Sequence, residues 1–255
     1  MGPFFSNHPH PSPLPAGSHR RSWYTFVTSL RFAETVVAKK AKQSVPQAVP
    51  AEPVVLQPGT RPKGKLPDHI LRDFDVLEWR HATAILHADF SAELAEIIDV
   101  LSLLRVRRSH IVVGGGGKSK VAQAIDAEFK KRGWIEKKWD TKIVVDEKAR
   151  ASPTHKVDCY KNSVAVELEW SAKHPFFDRD LNNFRLLFDL RVISVGVIIT
   201  KSEEFEAIFK DLGIWKKYGK STTWMSKLLP RIEGGGGGGC PLLVFGIRRN
   251  RFVED

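Results

Sequence analysis

Asp158, Glu167 and Glu169 fall in the run Val157-Asp158-Cys159-Tyr160-Lys161-Asn162-Ser163-Val164-Ala165-Val166-Glu167-Leu168-Glu169-Trp170. Three carboxylates that converge on one point make a site for a hard cation such as Mg²⁺, which takes oxygen ligands. In an extended chain side chains alternate faces, so Ser163, Ala165, Glu167 and Glu169 share one face while Val164, Val166, Leu168 and Trp170 share the other. The second face is wholly apolar and suits a core. The two glutamates are then neighbours on the opposite face, where like charges repel unless a cation or a proton separates them. A short turn near residues 161–163 would fold the preceding segment back as a hairpin and return Asp158 to the same neighbourhood. The alternation alone is equally what two solvated acids on the outer face of a sheet would produce.

Such acids need a sheet beneath them and helices around it. Residues 70–80 are expected to be extended. Ser91 can cap a helix in which Leu94, Ile97, Ile98, Leu101 and Leu104 form an apolar stripe. Val121, Ile125 and Phe129 predict a second helix, ended by Gly133 in the left-handed position. Strands are predicted at 142–145, around 156–160 and at 164–170. Asp178 opens a helix with Leu181, Phe184, Leu187 and Phe188 inward, and 192–200 is the most apolar strand. The coarse order is helix, three strands, helix, strand. Beyond it, 203–212 and 222–229 read as helical and 242–247 as a last strand, with the six glycines at 234–239 read as a flexible connector.

An acid, a spacer, then acid-x-Lys on a neighbouring strand is the pattern of the PD-(D/E)xK nucleases, and Asp158, Glu167 and Glu169 resemble it with Glu169 in the Lys position. Within that superfamily, Glu or Gln in place of Lys resembles the type II restriction endonucleases of the BglII kind. The run Trp170-Ser171-Ala172-Lys173-His174-Pro175-Phe176-Phe177, the amphipathic segment after it, and Val195-Gly196-Val197-Ile198-Ile199-Thr200-Lys201 follow in the order of elements in those enzymes. The resemblance is carried by residues 140–201 and extends more loosely over 67–255, with the first 66 residues outside it. It implies an α/β (α+β) fold with a restriction-endonuclease-like core, a mixed central sheet flanked by helices in the order αβββαβ.

The activity so implied is site-specific cleavage of double-stranded DNA with Mg²⁺ as cofactor, at a palindromic site with GATC at its centre. A homodimer would match the two-fold symmetry of such a site. Asp158 would be the principal metal ligand, Glu167 a second ligand directly or through water, and the Leu168 backbone carbonyl would complete the protein side of the shell. Glu169 would orient or activate the attacking water. Ser171 and the run Lys220-Ser221-Thr222-Thr223 fall where such enzymes place base-reading groups. Lys173, Arg179 and Arg185 are candidate phosphate contacts, with a solvated helix face as the bland alternative. A protective DNA methyltransferase is the implied genetic companion. The rival reading is a DNA-binding protein whose nuclease fold has lost activity, because the polar residue that some relatives supply upstream of Asp158 has no clear counterpart. This chain offers Lys142 and Asp146.

With 255 residues, 42% of them hydrophobic, the chain can bury one substantial core. The formal charge of +11 says little about DNA, since residues 1–66 hold nine Lys or Arg against two Asp or Glu, and residues 67–255 hold 31 against 27. Prolines, small residues and basic residues dominate 3–65, a composition that buries too little apolar surface to offset chain entropy. Residues 1–66 are therefore read as a disordered basic Pro-rich extension, with a short amphipathic piece at 23–38, and 67–255 as the DNA-cleaving domain. No apolar stretch is long enough to span a bilayer. Cys159 and Cys240 are the only cysteines and are read as unpaired thiols, which fits a soluble cytoplasmic protein with no membrane association. Gly114-Gly115-Gly116-Gly117-Lys118-Ser119 is not a phosphate loop, because G-x-x-x-x-G-K-[ST] needs Gly at the position of Val112. It reads instead as a mobile loop from which Lys118 and Lys120 reach phosphates or solvent. His155 and His174 flank the acids without a paired His motif and read as exposed or packing side chains.

Overall fold

The computed structural model describes residues 66–113 and 117–255. The expected extension with its piece at 23–38 lies outside the described residues except for Leu66, as do glycines 114–116 of the expected mobile loop. Leu66 itself is buried in the core. All described residues belong to one compact unit.

The chain enters through α1 (Asp68–Asp73), β1 (Phe74–Trp79), α2 (Ala82–Asp89) and α3 (Ser91–Leu103). The short β2 (Val106–Arg107) and α4 (Arg108–Ile111) precede α5 (Lys120–Lys131), β3 (Ile135–Lys137), β4 (Asp140–Val145) and β5 (Lys148–Pro153). Then come β6 (Val157–Lys161), β7 (Val164–Leu168), α6 (Phe176–Asp189) and β8 (Val195–Lys201). The chain closes with α7 (Phe205–Asp211), α8 (Trp215–Tyr218), α9 (Met225–Glu233), β9 (Leu242–Ile247) and β10 (Phe252–Val253).

A six-stranded mixed sheet in the order β1-β9-β8-β7-β6-β3 forms the centre. β7, β8 and β9 run parallel to one another, and the outer neighbours are antiparallel. The pleat divides the side chains of the central strands between two cores. Val164, Val166, Leu168, Val197, Ile199 and Phe245 join the core built with α1, α2, α3, α5 and α7. Ala165, Ile198, Leu242 and Val244 join the core built with α6 and α9. Strands covered on both faces read as near-continuous apolar runs, as these do apart from Glu167 in β7 and Thr200 and Lys201 at the end of β8. Gly196 permits a close approach, because a Cβ there would come within 2.6 Å of the Phe184 ring on α6.

The architecture is the α/β one expected, and α5, β3, β6, β7, α6 and β8 follow the order αβββαβ. The strand at 142–145 forms but lies outside that sheet, paired with β5 alone, and β3 holds the edge position beside β6. Residues 70–73 are helical, and extension begins only at Phe74. Ser91 is the first residue of α3, but no side chain caps that end. α6 opens behind Pro175, a little before Asp178, which lies in its first turn where an acid is favoured by the helix dipole. The glycines at 234–239 form a closely packed turn. Gly236 N–H donates to the Arg231 carbonyl at 2.8 Å, and a Cβ on Gly237 would come within 2.8 Å of Leu242. Lack of side chains here serves close packing against β9 and α6, where composition alone suggested flexibility.

Candidate active site

The turn at Asn162 and Ser163 places both residues at positive φ, 43° and 63°, the form that tight hairpins favour. It folds β6 onto β7 with Lys161 opposite Val164 and Cys159 opposite Val166. Beyond Cys159 the backbone ladder gives way to side chains. Asp158 Oδ2 accepts from the Leu168 N–H at 3.0 Å, and Glu167 Oε2 accepts from the Asp158 N–H at 3.3 Å. The hairpin thus brings Asp158 and Glu167 together where the two strands part.

α6 roofs the acid-bearing face, so Glu167 and Glu169 are only 2% and 5% exposed. They are not the solvated acids of an outer sheet face. α6 also contributes Asp180, which is fully buried, and Arg179, whose Nη2 donates to Asp180 Oδ1 at 2.7 Å and lies 3.6 Å from Glu169 Oε1. Taken as ionised, Glu169 Oε2 and Asp180 Oδ2 are buried without partners. Burial first, and then Asp180 and Asp158, hold the Glu167 carboxyl well above its ordinary range. Burial and Asp180 push Glu169 up to about 9, against the pull of Arg179. Asp180 is raised by burial in spite of Arg179.

Lys118 approaches from just before α5, whose first turn is capped by Ser119 Oγ accepting from the Ala122 N–H at 3.1 Å. Its ammonium donates to Asp158 Oδ1 at 3.1 Å and lies 3.5 Å from Asp126 Oδ2. Asp126 is held in turn by Lys130 at 2.8 Å. Lys142 and Asp146 belong to β4 and its turn. The upstream polar residue that reaches the acids is instead Lys118, which also pairs with Asp126. Cys159 and Cys240 are free and buried, and burial pushes the Cys240 thiol up to about 12.

The donor set fits a hard cation. It consists of carboxylates, and Glu167 Oε1 and Glu169 Oε2 are buried with no hydrogen-bond partner. Among the described residues no three His, Cys, Asp or Glu are placed so as to hold a metal ion together, and one Asp158 oxygen is taken by Lys118.

The residues expected to meet bases come from two segments that the fold joins. Lys173 bridges Thr222, the Thr223 N–H donates to the Ala172 carbonyl, the His174 N–H donates to the Ser221 carbonyl, and Lys173 Nζ donates to Ser221 Oγ at 3.0 Å. Lys173, Lys220 and Ser221 are exposed and Ser171 is half-buried. Thr222 and Thr223 are buried, and the Thr222 hydroxyl donates to the Tyr218 carbonyl at 3.1 Å, so neither threonine side chain is presented to a ligand. Arg179 is committed to the acids, and Arg185 Nη2 donates to Asn182 Oδ1 at 2.8 Å. His174 pairs with Arg231 at 3.0 Å, and His155 is exposed.

Lys201 joins this patch to the acids. Fully buried at the end of β8, its ammonium donates to the Trp170 carbonyl at 2.6 Å and to the Thr223 carbonyl. It sits 4.5 Å from the Trp224 ring centroid, and burial pulls its pKa down to about 7. A lysine closing an apolar strand is a legible sign of such a strut. Asp180 and Asp126 carry no comparable sign, being single acids in amphipathic helices.

The profile of the restriction endonuclease BglII/BglIII family matches residues 74–247, a span that includes every side chain of this cluster. No curated protein matches the chain. Among the described residues, no helix is long and apolar enough to cross a membrane.

Proposed function

The chain belongs to the restriction endonuclease BglII/BglIII family, and from that membership and the buried acids we propose that it is a type II deoxyribonuclease that cuts both strands of a palindromic duplex site with Mg²⁺ as cofactor. One observation carries the catalytic reading: Glu167 and Glu169 are buried with unpartnered oxygens beside Asp158. Buried carboxylates without compensation are costly, and a divalent cation is a partner that offsets the cost.

Asp158, Glu167 and the Leu168 carbonyl would hold the ion, which when bound stabilises charge on the phosphate and lowers the pKa of water. Glu169, on the same face as Glu167, accepts the proton of the attacking water, and its raised pKa strengthens it as a base once ionised. Arg179 orients Glu169, and with Lys118 it supplies positive charge toward a phosphate. Attack forms a bond from the water oxygen to phosphorus and breaks the bond from phosphorus to the sugar oxygen. The water proton passes to Glu169, and the leaving oxygen takes a proton from solvent.

The patch that exposes Lys173, Lys220 and Ser221 is assigned to the DNA interface, with Ser171 at its margin. The family likeness supports a GATC-centred site, a homodimer, a companion methyltransferase and a cytoplasmic restriction–modification role. The cleaving domain is assigned to 67–255 and the extension to 1–66.

Incubation with unmethylated plasmid and Mg²⁺ tests this reading. Discrete, reproducible fragments that vanish in EDTA are expected. Smearing would make the protein a nonspecific nuclease, and a gel shift without cutting would make it an inactive DNA-binding relative.

A further inference from the structure

β4 and β5 pair with each other and with no strand of the central sheet. Ile143, Val144 and Val145 are 52%, 65% and 56% exposed, although the same run reads locally as a core strand. An isolated two-stranded ribbon is marginal in water, and clustered exposed apolar side chains mark an interaction surface.

The root of the ribbon is rigid. Buried Thr154 accepts from the Trp139 N–H at 3.1 Å and donates to the Trp139 carbonyl at 2.6 Å. Trp139 packs edge-on against Tyr160 of β6 with ring centroids 4.9 Å apart, and the Lys137 ammonium lies 5.3 Å and 5.1 Å from those two rings. Tyr160 shares β6 with Asp158. The arm is therefore anchored to the strand that carries the first acid of the site.

Register sorts the arm into two faces. Ile143 stands opposite Arg150 and Val145 opposite Lys148, all on one face, while Lys142 and Val144 share the other with Ala151 and Ala149. The first face alternates cations with β-branched side chains and holds no acid. Asp146 and Glu147 sit apart in the turn, at φ 48° and 64°. Two copies of this face would oppose like charges, whereas a duplex presents phosphates to them. A two-stranded ribbon fits the major groove, where Arg and Lys donate to guanine and apolar side chains contact the thymine methyl.

We propose that the β4–β5 ribbon is a second DNA-contacting arm that enters a groove of the duplex with Ile143, Val145, Lys148 and Arg150 against the bases. It extends recognition beyond the patch of Ser171, Lys173, Lys220 and Ser221. The proposal rests on the nuclease reading for the identity of its ligand, but not on the acids.

Lys148→Ala/Arg150→Ala and Ile143→Ser/Val145→Ser test it, by fluorescence anisotropy with a 30-bp duplex in Ca²⁺ over a range of salt. All four side chains are exposed, and thermal melts check that the fold is kept. The charge variant is expected to bind about tenfold or more weakly, with a shallower salt dependence. The serine variant is expected to lose preference for the site mapped by plasmid digestion over a scrambled duplex. Unchanged affinity, salt dependence and preference in folded variants would overturn the proposal. So would a fall from dimer to monomer in sedimentation with DNA affinity per subunit unchanged, which would make the ribbon a self-association arm. A wild-type protein that binds DNA without cutting would defeat the nuclease reading alone and leave the comparisons of affinity and salt dependence valid.

Discussion

The Lys118 ammonium lies 3.1 Å from Asp158 Oδ1 and 3.5 Å from Asp126 Oδ2, a tethered cation beside the acids that would hold a metal. A divalent ion at Asp158 must displace or repel it. Lys118→Met is expected to tighten Ca²⁺ binding about two- to fivefold in calorimetry without DNA, the range of an ion pair worth about 0.5–1 kcal/mol. Equal or weaker Ca²⁺ binding by the variant would show that the ammonium does not compete.

Asp158→Asn and Glu167→Gln keep size and hydrogen-bonding capacity while removing charge. Both are expected to abolish cutting in Mg²⁺ and to retain the gel shift. With metal absent they should bind DNA as well as or better than wild type, since uncompensated carboxylates repel phosphate. Glu169→Gln should be milder, since Gln still holds the attacking water by hydrogen bonds while its proton passes to solvent in place of Glu169. Full cleavage by Asp158→Asn would remove the centre of the catalytic assignment.

The raised Glu169 carboxyl couples stability to pH. A group whose folded pKa exceeds its unfolded value adds stability that is fully present below the unfolded pKa and is lost as pH climbs through the folded one. For Glu169 that window runs from the ordinary 4.5 to about 9. The melting temperature of the metal-free wild type, relative to Glu169→Gln, is therefore expected to fall across this window. A difference that stays flat or rises would contradict the assignment. Because the acids must ionise to take a cation, Ca²⁺ binding at neutral pH should release protons, read as a buffer dependence of the calorimetric heat.

Lys201→Met removes the donor to the Trp170 and Thr223 carbonyls. Each buried acceptor left unsatisfied costs about 1–3 kcal/mol. A lower melting temperature is expected, with DNA site preference more affected than Ca²⁺ affinity, because the strut supports the patch at 171–174 and 221–223. An unaltered melt would show that the two carbonyls find other partners.

Removal of residues 1–65 is expected to leave folding and site preference intact, as their composition lacks the apolar content of a core. Insolubility or a changed cleavage site would assign that segment a structural role.

Much of the site could be read from the chain alone because its causes are local. Alternation along Val164–Leu168, the tight turn at Asn162 and Ser163, and the stripe of α6 each depend on residues a few positions apart. The spacing of Asp158, Glu167 and Glu169 fits a carboxylate site and solvated acids equally, and only the resemblance to a nuclease family favours the site. Tertiary structure decided what covers each face. α6 lies over the glutamates, so Asp180 and Arg179 join them and burial raises their pKa values. Lys118, forty positions from Asp158, reaches it only through long-range packing. The pattern at 142–145 is the same whether a strand enters a sheet or leaves it as an arm, and only the pairing partners distinguish the two. Burial likewise withdrew Thr222 and Thr223 from the surface while leaving Ser221 beside Lys173. Such outcomes depend on contacts between distant segments, which a local period of side chains does not encode.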